Sequence, residues 1–148
     1  MKFPITRRIA LVAALALAVS GCSESTPTEP TPTPTVPTVS EIFEGTLTQN
    51  GKAEFSFSVP TPGDVTFLLA TVGPLSTLSL GFGGGMWDAT ANTCTLNLSY
   101  TNVRQGSYFS ANAPVAGTYC VSVWDVGNIT ETATVTVTVQ VIHPTTAS

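Results

Sequence analysis

Histidines, paired thiols and clustered carboxylates carry most protein chemistry, and this sequence holds few of them: one histidine, three cysteines and nine acidic residues. His143 stands alone in Val141-Ile142-His143-Pro144, with no nucleophile and acid placed to complete a triad, and is expected to be a solvated residue at the domain's end. Zinc takes three or four clustered ligands, and the sequence does not supply them. Asp88, Asp125 and Glu131, with Asn92 and Asn128 nearby, fall among loop residues and offer oxygen ligands of the kind calcium gathers in sets of six to eight. Turn chemistry accounts for the same residues, because Asp and Asn side chains bond the backbone beside them. Gly81-Phe82-Gly83-Gly84-Gly85 lacks the lysine and following helix of a phosphate loop, and is expected to be a flexible loop between strands. No catalytic residue is assigned and no cofactor is expected. Recognition then falls to the aromatics Trp87, Trp124 and Tyr108, with Tyr100 and Phe109 close by in sequence; exposed rings stack on sugars or anchor protein contacts. Packing between sheets or over a sheet edge is the competing use of the same rings.

The elements that must hold these residues are strands. Thr134-Val135-Thr136-Val137-Thr138-Val139-Gln140-Val141 alternates without a break, which puts valines on one face and polar side chains on the other. Ala53 to Val59 repeats the pattern with Phe55, Phe57 and Val59 inward, and Tyr119, Val121 and Val123 do so again, leaving Trp124 outward unless the loop near Cys94 covers it. Further strands are expected near 42–48, 64–72, 75–82, 94–100 and 107–110, broken by turn signals such as Gln49-Asn50-Gly51 and Pro60-Thr61-Pro62-Gly63. Val65 to Val72 is apolar on both faces and belongs in a central position. About eight half-polar strands without a capped helix define an all-β, antiparallel β-sandwich, because each sheet must cover its apolar face with the other.

Ahead of the strands, Lys2, Arg7 and Arg8 precede an apolar run from Ile9 to Val19, which reads as an export signal too short to span a bilayer with these flanks. Val19-Ser20-Gly21-Cys22 resembles the lipobox of bacterial lipoproteins. That resemblance implies cleavage after Gly21, a Cys22 carrying palmitate-like acyl chains, and, with serine at 23, carriage to the outer membrane, or to the cell membrane where there is only one. An ordinary signal-peptidase site with Cys22 left as a free thiol is the competing reading. The expected organisation is a signal peptide over 1–21, a lipidated cysteine with a disordered Pro/Thr-rich linker over 22–40, a sandwich over 41–143 and a flexible tail over 144–148. Prolines 27, 30, 32, 34 and 37 favour an extended linker reaching roughly 50 Å at about 3.1 Å per residue.

Beyond Cys22 only Lys52 and Arg104 are basic, against all nine acids, which excludes nucleic acid as a partner. In an oxidising compartment Cys94 and Cys120 are expected to pair, joining a strand entrance to an outer or edge position. Closing that loop is worth about 3.5 kcal/mol on the chain-entropy model. Without Cys-x-x-Cys spacing, the bridge is a staple and not a redox centre.

Phe43-Glu44-Gly45-Thr46-Leu47, Phe55-Ser56-Phe57-Ser58-Val59, Gly63-Asp64-Val65-Thr66-Phe67 and Ala116-Gly117-Thr118-Tyr119-Cys120-Val121-Ser122-Val123-Trp124-Asp125 together resemble the bacterial pre-peptidase C-terminal (PPC) domain. The resemblance implies a jelly-roll-like sandwich of the kind appended to secreted peptidases and other exported proteins, where it assists secretion or holds insoluble substrate, with no catalytic residues to inherit. Gly51, Lys52 and Ala53 occupy the acidic positions that usually precede the Phe-x-Phe strand, with only Glu54 left, and the acid-rich opening of the calcium-binding members is absent. Two roles are expected from this sequence: a non-catalytic module binding extracellular polysaccharide or protein, and a structural envelope component or accessory subunit of a surface or secretion assembly. The partners are then the membrane, through the lipid, and a glycan or envelope protein.

Overall fold

Residues 35–146 are described by a computed structural model; the export segment, Cys22 and the linker as far as residue 34 lie outside the described residues. The period-two alternation becomes eight strands: β1 (Thr38–Leu47), β2 (Lys52–Val59), β3 (Gly63–Gly73), β4 (Leu80–Asp88), β5 (Thr93–Val103), β6 (Tyr108–Ala113), β7 (Gly117–Trp124) and β8 (Val135–Pro144). β1 pairs with β8, β2 with β7, β3 with β6 and β4 with β5, all antiparallel, so the chain runs as one long hairpin whose apex is the β4–β5 turn. Pairing of β3 with β8 and of β4 with β7 rolls that hairpin into two sheets, in the orders β1-β8-β3-β6 and β2-β7-β4-β5. This winding is an eight-stranded jelly roll.

Each sheet turns one apolar face inward. Val135, Val137, Val139 and Val141 of β8 are buried in one sheet, and Val121 and Val123 of β7 in the other. Aromatic rings tie the two together: Phe57 meets Phe67 across the core at 5.9 Å, Phe67 stacks on Phe109 at 4.7 Å, and Phe109 meets Phe82 edge-on at 5.1 Å. Such pairs add about 0.5–1.5 kcal/mol each beyond the area they bury. Tyr119 lays its ring in this core and donates its hydroxyl to the Val115 carbonyl at 2.8 Å, pinning the β6–β7 turn.

Three local expectations are corrected. β1 begins at Thr38, inside the stretch read as linker, and β8 continues through Pro144. The segment expected as a strand over 75–82 is a turn up to Ser79, with β4 starting at Leu80. The glycine run is not a loop: it is the buried interior of β4. Gly81, Gly83 and Gly85 face outward there, and a Cβ on Gly81 would collide with the Trp124 indole, one on Gly85 with the Thr95 carbonyl. Glycine is required because other groups occupy the space where side chains would stand.

Candidate recognition surface

The outer face of the β2-β7-β4-β5 sheet is covered by its own hairpin. A register shift at Gly84/Gly85 leaves Asn97 as an extra residue in β5, and the strand leans over β4 so closely that the Leu98 carbonyl would lie 2.5 Å from a Cβ on Gly83. The start of β5 thereby reaches across the sheet. Cys94 bridges to Cys120 on the outer face of β7, with the two Cα atoms 5.6 Å apart. The Thr93 hydroxyl donates to Glu54 on β2 at 3.1 Å, and Lys52 reaches the same carboxylate at 2.9 Å. Cys120 and Ser122, outward by parity, are buried beneath this flap.

The aromatics expected to form a recognition surface are dispersed. Trp124 lies half-buried on Gly81, and Trp87 lies half-buried opposite Cys94. Six residues of β4 separate the two positions, roughly 20 Å of strand, so they form no common platform. Tyr108 is 74% exposed on the outer face of the other sheet, in one row with Leu68, Gln140 and Ile42. Tyr100 and Phe109 do come together, with ring centroids 5.4 Å apart.

The carboxylates that offered oxygen ligands for calcium, with turn chemistry as their other use, are not gathered, and among the described residues no group of three or more His, Cys, Asp or Glu side chains forms a metal cluster. Asp88 accepts from the N–H groups of Thr90 and Ala91 at 2.8 and 3.0 Å, which caps the β4–β5 turn. Glu131 is exposed in the β7–β8 loop. Asp125 is buried, and its Oδ1 accepts from the N–H groups of Gly127, Asn128 and Ile129 while Oδ2 accepts from Asn50 at 2.9 Å. Burial by itself raises this carboxyl, and the four backbone donors outweigh it, holding the group below its ordinary value. Turn chemistry therefore uses Oδ1 of Asp88 and both oxygens of Asp125, and a cation would have to displace backbone N–H groups to reach Asp125.

His143 is corrected as well. It is 2% exposed, packs beside Phe57 with ring centres 5.4 Å apart, places Nε2 2.7 Å from Glu41 Oε1 and places Nδ1 3.0 Å from the Pro144 carbonyl. It locks the first strand to the last. The signal was present in the sequence, since His143 continues the inward parity of Val135 to Val141.

A feature that sequence reasoning missed is the opening between β5 and β6, the edge strands on one side of the sandwich. A cavity of about 60 Å³ enters the core there, walled by Val65, Phe67, Leu98, Ala111 and Ala113, with Asn97 and Asn112 also lining it. Nothing local marks it, because β5 and β6 become neighbours only through the winding of the roll. An apolar hollow also lies at one end of the sandwich between Leu75, Leu78, Ile129 and Ala133.

No protein-family model matches the chain, and no curated protein does. Solved structures share the fold. The Yersinia pseudotuberculosis-derived mitogen (YPM) superposes with a TM-score of 0.52 at 7% identity, over 74% of this chain and 90% of that one. Aeromonas hydrophila PliG, a periplasmic lysozyme inhibitor of g-type lysozyme, gives 0.50 at 16% identity, over 70% of this chain and 86% of that one. These likenesses show a β-sandwich fold. No helix among the described residues is long and apolar enough to cross a membrane.

Proposed function

We propose that this chain is a lipid-anchored, non-catalytic binding module of the bacterial cell envelope, a PPC-like jelly roll that recognises extracellular polysaccharide. One observation carries the reading: the groups fit for chemistry are consumed by the fold, while uncharged hydrogen-bonding and aromatic side chains are left at the surface. Asp125 and His143 are held by backbone and by Glu41, and among the described residues every buried side-chain N or O atom has a hydrogen-bond partner. The strand order agrees with the sandwich that the PPC resemblance implies, and the Cys94–Cys120 bridge supports a location outside the cytoplasm, where disulfides persist.

The anchor rests on Val19-Ser20-Gly21-Cys22, and the Pro/Thr-rich segment after it holds the domain away from the bilayer. In the PliG and YPM structures the same fold serves an inhibitor and a mitogen, which agrees with a sandwich that works by contact. A glycan array probed with the purified full-length protein, run beside cross-linking on intact cells, tests the proposal. Binding to glycans supports it. A stable envelope complex with no glycan bound replaces it with the structural-component role, and binding to neither overturns it.

A further inference from the structure

We propose that the opening between β5 and β6 binds a neutral, N-acetylated glycan, with an acetamido methyl seated in the cavity between the sheets; this rests on the polysaccharide-binding reading above. The edges of the sandwich differ in charge. On one side, β1 carries Glu41 and Glu44 and β2 carries Lys52 and Glu54, the kind of charge that discourages docking on a sheet edge. On the other, neither β5 nor β6 holds a single charged residue. Apart from Leu96, their exposed side chains are Tyr, Asn, Ser and Thr, which can donate and accept hydrogen bonds without demanding a counter-charge. A surface of that composition complements an uncharged, hydroxyl-rich ligand and offers nothing to pair with a polyanion.

The cavity sets the group that enters. An ordered water needs about 10–15 Å³ of such space, so a cavity of about 60 Å³ exceeds one water and is far too small for a sugar ring. A methyl-bearing substituent fits it, and the walls of Val65, Phe67, Leu98 and Ala111 are apolar. The amide of that substituent would stay at the mouth with the exposed Asn97. Asn112 is turned away from it, donating its Nδ2 to Asp64 at 3.1 Å on the outer face of the β3–β6 pair, in the row of Thr66 and Ser110, so the hydrogen bond to the acetamido group falls to Asn97. Tyr100 follows Leu98 on the same face of β5, about 7 Å along, held against Phe109 and 44% exposed. It offers a ring face to the neighbouring sugar. A seated methyl and one added hydrogen bond correspond to roughly twentyfold in affinity.

The test is calorimetric titration of the full-length protein, in a zwitterionic detergent, with chitotetraose and with cellotetraose, which share ring and linkage and differ at the acetamido group. Chitotetraose is expected to bind about twentyfold more tightly. Ala111→Leu, which fills the cavity, is expected to erase that difference. Asn97→Ala at the exposed mouth serves the same purpose should the core variant fail to fold, and Trp124→Ala is expected to change nothing. Equal affinity for the two sugars, or chitotetraose binding untouched by both Ala111→Leu and Asn97→Ala, overturns the site while leaving a binding module that uses another surface. Binding of neither sugar also overturns it, and only the wider array can then remove the polysaccharide reading.

Discussion

Removing the Asp125 carboxylate tests how the loops at one end of the roll are held. Its four backbone donors come from two turns, Asn50 in the β1–β2 turn and Gly127, Asn128 and Ile129 after β7. Asn50 adopts left-handed backbone, φ 56°, which asparagine tolerates. Hydrogen bonds to a charged acceptor are worth about 1.5–3 kcal/mol each on deletion, but the three exposed donors can turn to water, so Asp125→Ala is expected to cost about 3 kcal/mol in total. For a domain of this size that lowers Tm by roughly 15 °C. Asp125→Asn keeps one acceptor, loses the charge and turns an amide toward the Asn50 N–H, and is expected to cost about half as much.

The pH dependence has a definite sign. Because the folded carboxyl lies below its ordinary value, its contribution is fully present above the unfolded value near 3.9 and is lost as pH falls through the folded one. Urea unfolding of wild type and Asp125→Asn at pH 7 and at pH 2 to 3 reads this directly: the gap between them is expected to shrink in acid. A gap that stays constant, or an Asp125→Ala variant within about 0.5 kcal/mol of wild type at neutral pH, refutes the reasoning.

Other substitutions probe the remaining ties. Replacing both Cys94 and Cys120 by serine is expected to cost about 3.5 kcal/mol by urea unfolding and to speed hydrogen exchange at Ser122, which the flap covers. Gly85→Ala is expected to lose about 3 kcal/mol, because its Cβ meets the β5 backbone, which cannot rotate aside as a side chain can; Gly106→Ala, with open space around it and a positive φ as its only penalty, is expected to lose about 1 kcal/mol. His143→Ala removes a buried ring from Phe57 and a bond to Glu41, and should destabilise by about 2–3 kcal/mol in thermal unfolding. Mass spectrometry of the mature N-terminus is expected to find an acylated Cys22; an unmodified thiol there removes the anchor.

Much of the sandwich was legible because burial on one face writes itself into alternation. Phe55-Ser56-Phe57-Ser58-Val59 and Val135 to Val141 state their strands and their inward faces without help from the rest of the chain. The same parity reached His143, and Pro144 masked it by resembling the end of a domain. The glycine run misled for another reason: Gly81 and Gly85 are required by Trp124 and Thr95, and Trp124, in particular, is distant in sequence. Even so, glycines at 81, 83 and 85 with Phe82 between them carried a period of two that fits a strand. Coverage of Cys120 and Ser122 depended on a hairpin leaning over its own sheet, and the opening beside Leu98 and Ala111 depended on which strands the roll leaves at its edges. Both are products of winding, and neither has a local signature.

The central claim is that the domain works by holding polysaccharide at its uncharged edge. Equilibrium binding of the full-length protein to purified neutral envelope polysaccharide, compared with Tyr100→Ala, tests it most directly. Saturable binding that Tyr100→Ala weakens at least about tenfold, in a variant that stays folded at the assay temperature, is the predicted result; absence of binding by the folded wild-type protein contradicts it.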